Sequence, residues 1–473
     1  MDASRLTRRR MLTVAGAAGV TGLAGCTGTG GDGGDGSDGG DGGDGGASPT
    51  ETDGTTMNGG ASGSVKIGVL QPVSGDLQYY GQQSLWGFYQ GFNYKGASDF
   101  TPPAETGTHT ATVGDVEYEL VVRDTQLSAD TAQTLATDLV QNEGVDMLFG
   151  CTSSASATRV VKTVSKQAGT PTIIGPAASA SITSASETCA ENVFRANENT
   201  AMDARSGGKY VADNTDISKV YLFGADYSFG RAVVNNYKTV LEANGVEIVG
   251  EKFVPRGYSE WEGLLDNAES AGAEGIVAGF TVATLPQLFT TMLNGDYSFR
   301  AVGGFATQIT TGILGQTLQK VLGEPLTKEK LQNAKLGPFT SRYHWNQYDN
   351  EINSAFVDSY TNAYGIVPDL FTSGTFTAAS AIVQGVEASG STEGADIAAE
   401  MRGMVVADTP KGPDGYEFQT YNNQARSAMT IADVVPNEEE NWDAAIMPSE
   451  PAATVPASDT TIPKDSSEMG CNL

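Results

Sequence analysis

The chain has 473 residues, of which 57 are acidic and 28 basic, so its formal net charge is −29. This charge argues against nucleic acid and anionic membrane surfaces as partners. The two histidines, His109 and His344, lie in no metal-binding or catalytic-triad pattern, which argues against a Ser-His-Asp hydrolase and a His-ligated zinc site.

Residues 1–26 are typical of a twin-arginine export signal. Arg8 and Arg9 precede a short apolar run, Val14 to Ala24, that several glycines dilute. The run is too short for a bilayer span, which needs roughly 20 apolar residues. It ends in Leu-Ala-Gly-Cys, which resembles a lipobox and predicts lipidation of Cys26. A chance cysteine near a generic signal is the alternative.

Residues 27–64 form a predicted tether that is almost entirely Gly, Asp, Ser and Thr. Such a segment buries too little apolar surface to fold, and we expect it to be disordered. A Gly-rich coil of this length has a reach of roughly 35 Å. The sequence thus predicts a body held by lipid at the extracellular face of the cell membrane. An exported, acidic, lysine-poor chain is typical of an extreme halophile; simple solubility charge is the alternative.

The segment from residue 65 to about 442 is long enough for two domains. Its first strand is predicted at 65–70, and the helix after it, 81–94, has Leu85, Phe88 and Phe92 on one apolar stripe. Strand and helix patterns then alternate, with strands predicted at 118–123, 146–149 and 170–174 and helices at 129–142 and 155–167.

The alternation restarts after about residue 200. Strands are predicted at 220–223, 247–253, 275–278 and 301–303, and helices at 202–212, 230–243, 259–271 and 283–293. Two blocks of this kind predict an α/β fold of two doubly wound lobes with parallel sheets. Ligands bind beyond the carboxyl ends of such strands.

Three cysteines remain if Cys26 carries the lipid. We expect Cys151 and Cys189 to form a disulfide because both fall in the first lobe. Cys471 would then be left over in a polar C-terminal extension, 436–473, that we expect to be flexible at its end.

The run from Gly150 to Ser154 follows a predicted strand and begins a helix. A cysteine or serine nucleophile here lacks a general base at any recognisable spacing. Thr152, Ser153 and Ser154 are better suited to hydrogen bonding, since free N–H groups at a helix start favour an anion or a carbonyl oxygen. A plain helix N-cap is the alternative use of the same serines.

These residues belong to a set of motifs with a common resemblance. The strand and turn Ile67–Gly75, the Tyr79-Tyr80-Gly81 run, Gly150 with Ser154, the turn Pro176–Ser179 and the turn Asp226–Gly230 occur in an order similar to that of the leucine/isoleucine/valine-binding protein family. Thr409–Pro413 resembles a later turn of this family. Its members are type I solute-binding proteins of ABC importers, including urea and amide binders, and the likeness covers about residues 65–435.

The resemblance implies two lobes joined by a hinge of several chain crossings. Lobe 1 would comprise 65–196 with 341–404, and lobe 2 would comprise 197–340 with 405–435. The residues it assigns to the ligand, by analogy, are Tyr80, Ser153, Ser154, Ala178, Ser179, Asp226, Tyr227, Phe229, Thr281 and Phe305.

One departure from the family concerns the ligand. Amino-acid binders place a carboxylate against the ligand ammonium in a turn that corresponds to Gly303–Ala306, where this chain has Phe305. Asp226 is a possible substitute. The resemblance therefore implies a small polar solute, either a branched-chain amino acid or an amide or urea-like compound.

The implied function is capture of that solute by a monomer and its delivery to an ABC permease and ATPase, without catalysis or cofactor. A sensory ligand-binding receptor that signals through a partner is the alternative.

Overall fold

The computed structural model describes residues 61–75, 77–304, 307–440 and 442–473. The predicted signal, Cys26, nearly all of the tether and Phe305 lie outside the described residues. Within the described ranges, no helix has both the length and the hydropathy needed to cross a bilayer.

In chain order, the strands are β1 (Gly63–Gln71), β2 (Gly107–Val113), β3 (Val116–Asp124), β4 (Met147–Gly150), β5 (Thr172–Ile174), β6 (Val193–Arg195), β7 (Lys219–Ala225), β8 (Glu247–Val254), β9 (Gly275–Gly279), β10 (Arg300–Gly304), β11 (Leu336–Ser341), β12 (Val405–Val406), β13 (Tyr416–Phe418), β14 (Ala425–Ser427), β15 (Met429–Ala432), β16 (Val434–Pro436), β17 (Ile446–Pro448) and β18 (Ala453–Val455).

The helices are α1 (Gln78–Gly96), α2 (Ala129–Gln141), α3 (Ser154–Val160), α4 (Lys166–Ala168), α5 (Ser181–Ser184), α6 (Thr200–Asp203), α7 (Lys209–Asn214), α8 (Ser228–Ala243), α9 (Glu262–Ser270), α10 (Leu285–Asn294), α11 (Gln308–Leu322), α12 (Lys328–Asn333), α13 (Glu351–Tyr364), α14 (Thr372–Ser389), α15 (Gly394–Met401) and α16 (Ala457–Thr460). π-Helical turns at Val161–Ser165 and Ala204–Gly208 join α3 to α4 and α6 to α7.

The first sheet has the strand order β2-β3-β1-β4-β5-β6 and is parallel except for β2, which forms an antiparallel hairpin with β3. Its strands are apolar on both faces, since α1 and α14 cover one face and α2 and α3 the other. Phe88 of α1 stacks on Phe149 of β4 with ring centroids 3.8 Å apart. Burial of one such side chain stabilises the fold by roughly 1.5–3 kcal/mol.

The second sheet has the order β18-β15-β11-β10-β9-β7-β8. Strands β11, β10, β9, β7 and β8 are parallel, and β15 and β18 extend the edge in antiparallel pairs. Helices α9, α10 and α11 pack on one face around the fully buried Trp261, while α7 and α8 cover the other. The predicted pair of doubly wound α/β sheets is confirmed, with antiparallel edges that the sequence patterns did not predict.

Local sequence explains several helix ends. The side chain of Ser128 accepts a hydrogen bond from the backbone N–H of Thr131 at the start of α2, and Asn350 does the same for Asn353 at the start of α13. Gly365 and Gly390 follow α13 and α14 in the left-handed conformation that suits glycine.

Between β6 and β15 the chain passes between the two lobes three times. It leaves the first sheet after β6, returns to that lobe after β11, and leaves it again between β14 and β15. These crossings form the hinge.

Strands β12, β13 and β14 pack into the core of lobe 1, where Val406, Tyr416 and Phe418 are buried beside Phe194. The assignment of 405–435 to lobe 2 is therefore wrong for 405–427. The physical reason is that these side chains complete the apolar face beside β6. Of the strands within 405–435, only β15 joins the second sheet.

The predicted pairing of Cys151 with Cys189 is also wrong. Cys189 forms its disulfide with Cys471, with Cα atoms 5.0 Å apart. Cys151 is a free, fully buried thiol that packs in the core between α2, α3 and β4. The expectation of a flexible C-terminal end is wrong as well, because Cys471 is buried and covalently held.

Candidate functional site

A cavity of about 580 Å³ lies between the lobes, at the carboxyl ends of strands from both sheets. Most of the predicted ligand residues line it: Tyr80, Ser153, Ser154, Ala178, Asp226, Tyr227, Phe229 and Thr281. Ser179 lies immediately behind this lining, and Phe305 lies outside the described residues.

Ser153 and Ser154 have different roles at the start of α3. Ser153 is the N-cap, whose hydroxyl accepts a 3.5 Å hydrogen bond from the N–H of Ser156. The hydroxyl of Ser154 accepts one of 3.1 Å from the N–H of Ser179, and Ser154 is buried. Ser154 thus joins the two loops of lobe 1 that face the cavity. Because its hydroxyl accepts this bond, its own O–H group can still donate one.

Arg195 holds the second of these loops in place. Its guanidinium donates to the carbonyl oxygens of Ala177 at 3.0 Å and Ser179 at 2.7 Å, and to Gln424 and Thr183. Arg195 is fully buried, which lowers its pKa to about 9. This residue was not predicted from the sequence. An arginine inside the apolar strand β6 was nevertheless a usable signal, since a buried charge needs partners.

Aromatic side chains form the wall that lobe 1 presents. The ring of Tyr80 stacks on that of Phe371 with centroids 6.1 Å apart. Burial raises the pKa of Tyr80, and it raises the pKa of Tyr227 in lobe 2 to about 12. Both hydroxyls are therefore neutral at physiological pH and offer hydrogen bonds without charge.

The turn from Asp226 to Gly230 brings lobe 2 to the cavity. A side chain at Gly230 would place its Cβ 2.2 Å from the backbone nitrogen of Ala225, so only glycine permits this approach. The carboxylate of Asp226 pairs with Arg231 at the half-exposed rim. The carboxylate of Asp226 is thus already paired with a cation of its own chain, Arg231.

Asp203 and Arg342 line the hinge end of the cavity, and the sequence analysis missed both. Arg342 donates to the two carboxylate oxygens of Asp203 at 3.0 and 2.6 Å, in the two-pronged geometry that suits guanidinium and carboxylate. The pair is nearly buried. Because the two side chains are 139 residues apart, no local pattern links them.

Arg256 is the remaining charged residue of the lining. It is exposed at the rim, and its positive charge lowers the pKa of Tyr227 against the larger effect of burial. Among the described residues, Arg256 forms no ion pair, whereas both acids of the lining are paired. Within the described lining, Arg256 at the rim is therefore the one charge without an ionic partner.

Two hydrogen bonds close the lobes over the cavity. The hydroxyl of Tyr80 in lobe 1 accepts from the N–H of Val282 in lobe 2 at 3.0 Å. The carboxylate of Asp369 in lobe 1 accepts from the N–H of Gln308, at the start of α11 in lobe 2, at 3.1 Å. Asp369 also accepts from Tyr79 at 2.5 Å. The structure is thus that of a closed two-lobed cleft.

The architecture and the cleft agree with the comparisons to known proteins. A family model described as periplasmic binding protein matches residues 64–439. The chain belongs to this family. Its members are solute-binding proteins rather than enzymes, and the predicted resemblance and fold class are confirmed.

Named relatives and solved structures extend this result. The chain is 28% identical over 358 residues to Leu/Ile/Val-binding protein homolog 6 of Brucella suis, covering 74% of this chain and 82% of that protein. A periplasmic binding protein from Burkholderia mallei has a TM-score of 0.69 at 22% identity, over 86% of this chain and 98% of that one. An ABC transporter solute-binding protein from Rhodopseudomonas palustris in complex with benzoate has a TM-score of 0.64 at 22% identity, over 87% and 100%.

Proposed function

We propose that this chain is the lipid-anchored, solute-capturing component of an ABC importer, and that it closes on a small organic carboxylate without an ammonium group. The family membership and the closed, two-lobed cleft support the capture function. The observation that carries the ligand class is the charge of the cavity, where Arg256 alone lacks an ionic partner among the described lining residues.

The size and polarity of the cavity support a small solute. Its volume of about 580 Å³ lies within the roughly 300–1,000 Å³ of small-molecule sites. Phe229, Phe280 and Phe371 supply apolar walls, while Ser154 supplies a hydroxyl. A carboxylate with an aliphatic or aromatic body matches these groups.

The pairing of both acids in the described lining argues against an amino-acid ligand. Burying a ligand ammonium without an opposing charge costs several kcal/mol. Asp226 and Asp203 are each paired with an arginine, so neither described acid of the lining is free for this purpose. The benzoate-bound relative and the Leu/Ile/Val-binding homologues have one ligand feature in common, the carboxylate, which supports the same class.

The test is a thermal-shift screen in high salt with matched ligands. One set is 4-methylpentanoate, leucine and 4-methylpentanamide, and a second is 3-phenylpropanoate, phenylalanine and 3-phenylpropanamide. Benzoate and benzamide form a further carboxylate and amide pair. A ligand at 100 times its Kd stabilises the protein by about 2.7 kcal/mol. We expect a shift from the carboxylates and none from the neutral amides or the amino acids.

The outcomes separate the two parts of the proposal. A shift from leucine and phenylalanine equal to that from the carboxylates would overturn the ligand class and leave solute capture intact. Turnover of a bound ligand by the pure protein would overturn the capture function itself.

A further inference from the structure

The C-terminal segment lies beyond the part of the chain that matches the family. The family match ends at residue 439, whereas the chain continues through β17 and β18 to Leu473. After β18, at the edge of the lobe 2 sheet, residues 456–473 return to lobe 1. We call these residues the strap.

The strap is fixed to lobe 1 at its end. Cys471 forms the disulfide with Cys189, and the N–H groups of Gly470 and Cys471 both donate to the carbonyl oxygen of Ser184, at 2.8 and 2.9 Å. The N–H of Leu473 donates to the carbonyl oxygen of Tyr421 at 2.9 Å. Covalent and backbone bonds thus attach the last four residues to one lobe.

The strap also holds lobe 2. Glu468, three residues before the disulfide, pairs with Arg205 of lobe 2 at 2.6 Å, and the two side chains are only 25% and 20% exposed. The side chain of Ile462 is buried in a cluster with Ala180 of lobe 1 and Ala201 of lobe 2. The strap therefore contacts both lobes in their closed arrangement.

These contacts lie directly behind the ligand cavity. The N–H of Ala180 donates to the hydroxyl of Thr200 at 3.1 Å, and the N–H of Thr200 donates to the carbonyl oxygen of Ala178, which lines the cavity, at 2.9 Å. A movement that separates Ala180 from Ala201 would disrupt the packing of Ile462 against them.

Opening the lobes must move Arg205 relative to lobe 1, to which the disulfide holds Glu468. We propose that the strap is a fourth, disulfide-fixed interlobe connection that limits opening and shifts the lobes toward the closed state. This inference concerns the lobe movement on which the proposed solute capture rests, and it does not depend on the identity of the solute.

Two backbone amides allow a test that needs no ligand. The N–H groups of Val282 and Gln308 donate across the cleft, so their hydrogen exchange reports opening. The amide of Val69, within the buried strand β1, reports global unfolding instead. Exchange is measured in the full chain at single-residue resolution.

The variants release the strap from one lobe at a time. The double variant Cys189→Ser/Cys471→Ser releases it from lobe 1, and Glu468→Gln releases it from lobe 2 while the disulfide stays. Matched controls are Cys151→Ala, which removes the free thiol, and Glu438→Gln, which changes an exposed acid. Dithiothreitol on the parent protein should reproduce the double variant.

We expect several-fold faster exchange at Val282 and Gln308 in both strap variants. In Glu468→Gln, exchange at Val69 should stay unchanged, whereas in the cysteine variant it should rise as well, because loss of a native disulfide lowers global stability. The controls should not accelerate exchange at Val282 and Gln308 relative to Val69. Unchanged exchange at Val282 and Gln308 in Glu468→Gln would overturn the proposal, even if the cysteine variant failed to fold. Exchange that accelerates equally at all three amides in Glu468→Gln would also overturn it, because the strap would then only stabilise the whole fold.

Discussion

Glu198 and Lys411 form an ion pair of 2.7 Å whose side chains are 0% and 2% exposed. Glu198 lies in the first hinge crossing, and Lys411 also donates to the carbonyl oxygen of Ala428 in the third, at 2.7 Å. Burial alone would raise the pKa of the Glu198 carboxyl, but the charge and hydrogen bond of Lys411 hold that pKa below its ordinary value. Through these two contacts, Lys411 connects the first hinge crossing to the third.

Replacing Lys411 by methionine should strongly destabilise the protein. The change leaves the carboxylate of Glu198 buried without its cation, which costs about 3–5 kcal/mol. Denaturant unfolding in high salt measures the loss. Lys238→Met is the matched control, because Lys238 and Glu251 form an ion pair at the surface, and it should change stability little. Equal losses for the two variants would contradict the role given to Lys411.

Ser154→Ala and Ser153→Ala should have separable effects. Ser154→Ala leaves the N–H of Ser179 without its partner and removes a cavity hydroxyl, so ligand binding should weaken by about 1–3 kcal/mol. Ser153→Ala removes a helix cap and should lower stability by about 1 kcal/mol with a smaller effect on binding. Calorimetry with the best carboxylate of the screen measures the affinities. If Ser154→Ala binds as tightly as the parent, Ser154 only positions the loops.

Arg256→Gln should weaken carboxylate binding and reduce the preference for a carboxylate over its amide. A hydrogen bond to a charged group contributes about 1.5–3 kcal/mol. Molar salt screens only the longer-range attraction between Arg256 and the carboxylate. The measurement compares the affinities for benzoate and benzamide in parent and variant. Lys209→Gln, at a surface ion pair with Asp213, is the control and should leave both unchanged. An unchanged preference in Arg256→Gln would remove Arg256 from the site.

His344 should make stability fall as the pH falls from about 7 to 5. Burial beside Trp442 lowers the pKa of His344 from 6.5 to about 4. The unfolded chain therefore takes up a proton as the pH falls below 6.5, while the folded protein keeps His344 neutral until near pH 4. Unfolding free energies across this range measure the slope.

A variant of this histidine completes that measurement. His344→Gln should flatten the slope. Equal slopes in the parent and His344→Gln would assign the acid sensitivity to other groups.

The anchor and export signal give a cell-level prediction. Cys26→Ser should release the protein into the medium, and changing Arg8 and Arg9 to lysine should keep it inside the cell. Fractionation after a high-salt wash measures both, with Thr27→Ser as the control. Continued membrane association of Cys26→Ser would rule out lipidation at this cysteine as the anchor.

Most strands and helices up to Gly303 were predictable from the sequence because each is a local pattern of apolar residues, although β2, β6 and α5 were not predicted. Eight predicted strands, from 65–70 to 301–303, each coincide with an observed strand. The antiparallel edge strands β2 and β18 escaped prediction because they are only partly buried and so lack the apolar run of a central strand.

Site residues were predictable where they belong to a local motif. They were not predictable where two residues far apart in the sequence pair with each other. Tyr80, Ser154 and Tyr227 follow recognisable motifs and line the cavity. The pairing of Arg342 with Asp203 brings together residues that are 139 positions apart. The same limit led to the wrong cysteine pairing, since Cys471 reaches Cys189 only through the course of β15 and β18.

The disulfide between Cys189 and Cys471 also has a consequence for maturation. It joins residues that are 282 positions apart, so the two thiols meet only when the segment after β18 has returned to lobe 1 beside Ser184. Oxidation of this pair is therefore a late step of maturation. In a reducing compartment the strap would keep only its noncovalent contacts.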